Sequence, residues 1–218
     1  MNSPLIQLLV LAGIAIFLIL RLKNVLGSRE GFEKPPTPQQ ADKRSRPDFE
    51  VIDGGPDRDI TDHVAEDSPQ AQALTEMKRV EPAFSVTEFV QGARGAYEMI
   101  LMGYELGNLD EIQPFLAEDV FETFVAGVSA REDQGLKIEA EFIGVRETAI
   151  ADVRFDKDTN LAEITMRFVG ELTSVVRDRG GDIVEGSPTT VKRQKDSWTF
   201  GRTMGSADPN WLLVATDG

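Results

Sequence analysis

Residues 84–107 read FSVTEFVQGARGAYEMILMGYELG, and this stretch decides the fold. Ser85 and Glu88 have the spacing of a capping box, with the Ser hydroxyl accepting from the Glu amide and the Glu side chain reaching back. Phe84 and Phe89 flank the cap as a hydrophobic staple. Behind them Phe89, Ala93, Ala96, Tyr97, Ile100, Leu101 and Tyr104 form one stripe at helical period. Gly107 is placed to close the helix in a left-handed turn. The expectation is one long helix with a single apolar face that something else must cover.

Working downstream, Asn108 caps a shorter helix that runs through Ile112 to Leu116, with a break at Pro114. A third helix is expected from Asp119 to Arg131, with Val120, Phe121, Phe124, Val125 and Val128 inward. At Gly135 the period changes from 3.6 to 2. Ile138, Ala140 and Phe142 alternate with acids, as do Ala149, Ala151, Val153 and Phe155 with Asp152 and Arg154. Turn-forming residues follow at 156–160, then Ile164, Met166, Phe168 and Leu172 alternate again, and Gly180-Gly181 marks another turn. Strands are expected from Thr189 to Arg202 and, after Asp208-Pro209-Asn210, from Trp211 to Thr216. Helices first and strands after, joined by short links, imply an α+β domain. Its antiparallel sheet is paired in sequence order and packs on the long helix.

Working upstream, residues 27–83 hold many acids, repeated prolines and few large apolar residues. Such a segment buries too little surface to offset its ordering entropy, so it reads as a flexible tether with a span on the order of 40 Å. Ser68 to Val80 is the exception. Ser68 caps, Pro69 suits the first helical position, and Leu74, Met77 and Val80 have helical spacing, which predicts either a fraying helix or a segment that docks on the domain or on a partner. Further upstream, Leu5 to Leu20 (LIQLLVLAGIAIFLIL) carries no charge, and Leu5, Leu9, Ile14, Phe17 and Leu20 are among its apolar positions. A helix from Pro4 to Leu26 is about 34 Å long at 1.5 Å per residue, enough for a hydrocarbon core of roughly 30 Å. Arg21 and Lys23 close the span, so residues 1–26 read as a transmembrane anchor with the N-terminus periplasmic and the body cytoplasmic. The alternative is a cleaved signal peptide, which fits less well because no Lys or Arg precedes the apolar run.

The formal net charge is -14. An acidic chain of this kind is repelled by nucleic acid, and its two short basic runs, Lys43-Arg44-Arg46 and Lys192-Arg193-Lys195, do not reverse that field. The second alternates with Thr190, Gln194 and Asp196 and reads as a solvated strand face. There is no Cys, and the single His is His63, inside the tether. A Ser-His-Asp or Cys-His arrangement in the domain and a zinc site of the usual N/S type are therefore excluded. No glycine run has the strand-to-helix context of a phosphate loop. Glu139 and Glu141 share a strand face among solvent-type neighbours, which is the pattern of a charged outer surface. The expectation is a protein that is not an enzyme and holds no cofactor or metal. One alternative stays open: a helix-on-curved-sheet fold can enclose a pocket with a carboxylate base. Tyr97, Tyr104, Trp198, Phe200 and Arg202 are the candidate pocket residues, although no inward acid stands out. Arg94 and Glu98 are spaced for a helical ion pair, and Gly92 for close approach of another backbone.

Several blocks in this order resemble the Tim-forty-four-like (Tim44-like) domain family. They are the opening helix FVQGARGAYE from Phe89, Arg131-Glu132, the run ITMRFVGEL from Ile164, and WTFGR from Trp198 with DPNW from Asp208. The resemblance covers residues 84–216. It implies a cystatin-like or nuclear-transport-factor-two-like fold and, with the anchor, a bacterial membrane-bound branch of the family. The mitochondrial relative that the resemblance points to is a scaffold that holds a DnaK-type chaperone at the protein-import channel and associates with cardiolipin-containing membrane. The family supplies no catalytic residues. The expectation is thus an inner-membrane adaptor with residues 1–26 as anchor, 27–83 as tether and 84–218 as the domain. It would bind a protein partner and membrane lipid, but not nucleic acid. The net charge of residues 84–218, 13 basic against 24 acidic or -11, opposes broad docking on anionic lipid. A pocket protein of the same fold, and a structural protein that self-associates, are the other readings.

Overall fold

The computed structural model describes residues 55–217. The expected anchor, residues 1–26, and the first part of the tether lie outside the described residues. Among the described residues no helix is long and apolar enough to cross a membrane.

The decisive helix, α3, forms as its sequence dictates; two helices that precede it, α1 (Arg58–Thr61) and α2 (Pro69–Val80), do not behave as a tether. α3 spans Val86–Leu106, with the Glu88 amide donating to Ser85 Oγ at 3.2 Å and the Phe84 and Phe89 rings 6.4 Å apart; the Glu88 side chain does not return the expected bond, and Asp59 of α1 accepts from the neighbouring Val86 and Thr87 amides. It stops at Gly107, whose φ of 77° is the left-handed conformation that glycine adopts without steric penalty. There Asn108 donates to the Gly103 carbonyl at 2.8 Å, satisfying a carbonyl that the helix end leaves open. α4 (Leu109–Ile112) follows. A 3₁₀ turn over Gln113–Phe115 then accommodates Pro114 in its first turn, so the expected second helix breaks there, and Asn108 at its start makes no side-chain cap bond. α5 runs Glu118–Asp133 with Val120, Phe124 and Val128 buried; Val125, expected inward, is exposed.

The strands β1 (Lys137–Asp156), β2 (Leu161–Arg177), β3 (Ile183–Thr203) and β4 (Leu212–Asp217) form one antiparallel sheet in the order β1-β2-β3-β4. The two alternating runs of 138–142 and 149–155 are one strand. Register shifts at Phe142/Gly144, Val145/Glu147 and Ile150/Asp152 carry it through, and such bulges bend a strand and add twist. The inner face carries Ile164, Met166 and Phe168 from β2 and Trp198 and Phe200 from β3 against the buried stripe of α3. Glu139 and Glu141 are exposed, and Glu139 pairs with Arg177 at 3.0 Å on the outer surface.

The folded body begins earlier than residue 84. Leu74 and Met77 of α2 are 0 % exposed and belong to the same core as Ile60 of α1. Val80, grouped with them by spacing, is exposed at the helix end. Composition predicts a tether because polar residues dominate the segment; a handful of apolar residues suffices once a preformed core receives them.

Candidate functional site

The five candidate pocket residues do not converge on one site. Tyr97 is 0 % exposed in the middle of α3. Its ring stacks on Phe168 at 4.4 Å and 19°, tilts against Trp198 at 4.8 Å and meets Phe142 edge-on at 6.3 Å. Its hydroxyl donates to Asp196 Oδ2 at 2.5 Å. Burial first, then this bond and the charge of Asp196, push the Tyr97 phenol far above its usual range. The phenol reaches the acid only because position 170 has no side chain; a Cβ at Gly170 would lie 2.5 Å from the hydroxyl. Asp196 is itself 6 % exposed, and its Oδ1 accepts from Gln194 at 3.0 Å. It is the inward acid that the sequence reading missed. The signal was present: residues 196, 198, 200 and 202 share one strand face.

Phe200 and Arg202 lie instead at the other end of α3, on an open, mostly apolar groove of 590 Å³. Gly92, Gly95, Ala96 and Met99 line it along the helix, and Phe84 and Trp211 stand opposite. Gly92 does not admit a close backbone; a Cβ there would meet nothing within 4 Å, and the same holds at Gly95. Arg202 closes one end. Its Nη2 pairs with Glu81, its Nη1 donates to the Pro209 carbonyl at 3.1 Å, and its guanidinium lies 5.4 Å from the centre of the Trp211 ring. The aromatic partner of Arg202 is therefore Trp211. The hydrogen bond from Arg202, outweighing burial, holds the Glu81 carboxyl below its usual range. Asp208 accepts from the Asn210 amide at 3.0 Å and fixes the turn that delivers Trp211, as its spacing predicts. Arg94 does not pair with Glu98; it donates to the Val145 carbonyl at 3.2 Å and ties α3 to β1.

Tyr104 and Trp198 border a second cleft, also 590 Å³, with Leu101, Phe124, Lys192 and Asp196. Arg131 covers the Tyr104 ring at 4.7 Å and donates to the Tyr104 carbonyl at 2.6 Å. Beside it, burial raises the Glu105 carboxyl, opposed by Arg131 and Lys192. Among the described residues no cluster of His, Cys, Asp or Glu is arranged to hold a metal ion.

A model of the Tim44-like domain matches residues 70–218, most of the chain and all but the first of the main elements. The chain belongs to the Tim44-like domain family. Among curated proteins, this Tim44-like chain is 20 % identical over 143 residues to the mitochondrial import inner membrane translocase subunit TIM44-1 of Arabidopsis thaliana. It is 25 % identical over 147 residues to the human mitochondrial import inner membrane translocase subunit TIM44. Each match covers 66 % of this chain but only 30 % and 32 % of the relatives, so the chain spans about a third of their length. Among solved structures, the intermembrane-space region of the chloroplast protein ARC6 aligns with a TM-score of 0.41 and 10 % identity. That alignment covers 59 % of this chain and 94 % of the other. The Tim44-like match begins at residue 70, inside α2, which agrees with α2 being part of the domain rather than of a tether.

Proposed function

We propose that this chain is a single-pass inner-membrane adaptor of a bacterium, anchored by residues 1–26, whose cytoplasmic Tim44-like domain grips a protein partner. It acts by binding and not by catalysis, and needs no cofactor. The observation that carries the reading is the groove along α3. Met99 is exposed there beside the half-buried Ala96 and Trp211, and the two glycines leave room for an incoming side chain. An open apolar groove of this kind is the sort of patch that marks a recognition site. The translocase-subunit names of the relatives support a partner within a membrane-bound protein-handling assembly. The charge asymmetry around Leu5–Leu20 supports the orientation.

A photo-crosslinking residue at Met99 in living cells tests this. Capture of a defined protein is expected, lost in Gly92→Trp, which fills the groove at an exposed position without altering the melting temperature. The full chain is also expected to stay in the membrane pellet after an alkaline carbonate wash. Capture of lipid alone, or release by carbonate, overturns the reading.

One observation favours the small-molecule or isomerase-like pocket: the carboxylate of Asp196 at the wall of the second cleft. The supporting geometry stops there. The Tyr97 hydroxyl is bonded to that carboxylate and its ring is packed among three aromatic rings, which leaves neither group free to meet a substrate.

A further inference from the structure

β4 covers only part of β3. The two strands pair from Gly201 to Ser197, and the last pair is Ser197 with Asp217. β3 runs on through Asp196, Lys195, Gln194, Arg193 and Lys192, each opposite a residue of β2. On the other side these five have no strand and no backbone hydrogen-bond partner among the described residues. Every second residue of such an edge turns its N–H and C=O outward, a template for another strand. The edge is bounded. At one end stands the last residue of β4. At the other the register jumps from Leu172–Lys192 to Ser174–Ser187, and the displaced residues include Pro188, which has no N–H to offer. A strand added here would lie end to end with β4 over five residues of β3.

The charge of this edge is opposite to that of the chain. Lys192, Arg193 and Lys195 are all exposed, in a protein of net charge -14. Arg193 is taken by Glu171 at 2.8 Å. Lys192 and Lys195 have no ion-pair partner among the described residues. The second cleft opens beside them, with Leu101, Tyr104, Phe124 and Trp198 available to an apolar side chain of the added strand. Antiparallel self-pairing of two copies along this edge would set Arg193 of each copy against Lys195 of the other, and like charges opposite one another in a strand pair are destabilising.

We propose that the Lys192–Asp196 edge of β3 is a docking slot for an extended acidic segment of a protein partner. The segment adds as a fifth strand in line with β4. Its main chain bonds to the β3 edge, carboxylates on its outer face meet Lys195 beside Arg193, and an apolar side chain on its inner face enters the cleft. This rests on the adaptor reading and names the chemistry of the partner.

The test uses the full chain in detergent micelles and a fluorescent peptide alternating valine and glutamate, read by anisotropy. Saturable binding is expected. N-methylation of every second amide, or replacement of glutamate by lysine, should weaken it about tenfold or more. Lys195→Glu should weaken it about fivefold at unchanged melting temperature, as the loss of one exposed charge pair can account for. Amides of the edge should gain protection from hydrogen exchange when the peptide is bound. Equal binding of the N-methylated peptide, full affinity in Lys195→Glu, or no saturable binding overturns the slot. Failure here with Met99 crosslinking intact leaves the adaptor reading standing. Loss of the Met99 crosslink with peptide binding intact removes the adaptor reading and not the slot.

Discussion

The Tyr97 hydroxyl and the Asp196 carboxylate, 2.5 Å apart, join the middle of α3 to β3 through the core. A buried carboxylate is tolerated only when its oxygens are bonded, and Tyr97 and Gln194 each supply one donor. Tyr97→Phe keeps the ring and removes one of them. It should destabilise the fold by about 1–3 kcal/mol, measured by urea unfolding, because the acid is left with an unmet lone pair. Asp196→Asn, which removes the charge as well, should cost less. Asp59 does similar work at the other end of α3. Its Oδ2 accepts from the Val86 amide at 2.7 Å, its Oδ1 accepts from the Thr87 amide at 2.9 Å, and Lys78 Nζ lies 2.8 Å away. Burial would raise the Asp59 carboxyl, but the bonds from Lys78, Thr87 and Val86 prevail and hold it well below the usual carboxylate range. A carboxyl whose folded pKa is depressed stabilises the fold above its unfolded pKa, and that stability is lost as pH falls through the folded value. The urea midpoint should therefore drop between about pH 5 and pH 2, and Asp59→Asn should flatten that drop.

At the scale of elements, α1 and α2 change what counts as the domain. Asp59 of α1 caps α3 across 27 residues of sequence, and Glu81 at the end of α2 accepts from Arg202 of β3 and from the Gly205 amide at 2.9 Å. Leu74 and Met77 sit in the core, where removing such side chains costs about 2–5 kcal/mol each. A fragment that starts at Phe84 loses all of this. It should fail to melt cooperatively by circular dichroism, whereas a fragment starting at residue 55 should melt in one transition. Capping chemistry predicted α3 correctly because it is local: Ser85, Phe84, Phe89 and Gly107 act within a few residues of themselves. Capping and spacing likewise predicted α2, with docking on the domain as one of two outcomes, but could not choose between them, since Leu74 and Met77 are too few to announce a core of their own.

At the scale of the molecule, a meander of four strands wraps one face of a long helix and leaves two surfaces open, at opposite ends of that helix. One is apolar and set beside the Arg202–Glu81 pair; the other is a short basic edge on an acidic protein. Both have the character of grips for polypeptide, one for side chains and one for a strand. The candidate site was partly legible. Phe200, Arg202 and the turn at Asp208 were found in sequence and lie on the groove, while Tyr97 and Trp198 were found and proved to be interior. The basic run at Lys192 was read as a solvated face, because nothing in one strand tells whether its neighbour stops short.

Sequence alone determined the helix-then-strand order, the caps and ends of α3, the alternation that builds the inner face of the sheet, and the absence of Cys and His from the body beyond residue 63. Each of these depends on spacing along the chain, which the chain itself records. Only the tertiary structure decided that α1 and α2 belong to the core, that Tyr97 and Asp196 meet, that Arg202 faces Trp211, and that five residues of β3 lack a partner strand. Those contacts join residues tens of positions apart, or record where one strand ends beside another. Their energy comes from the burial and bonding of groups that no local pattern brings together.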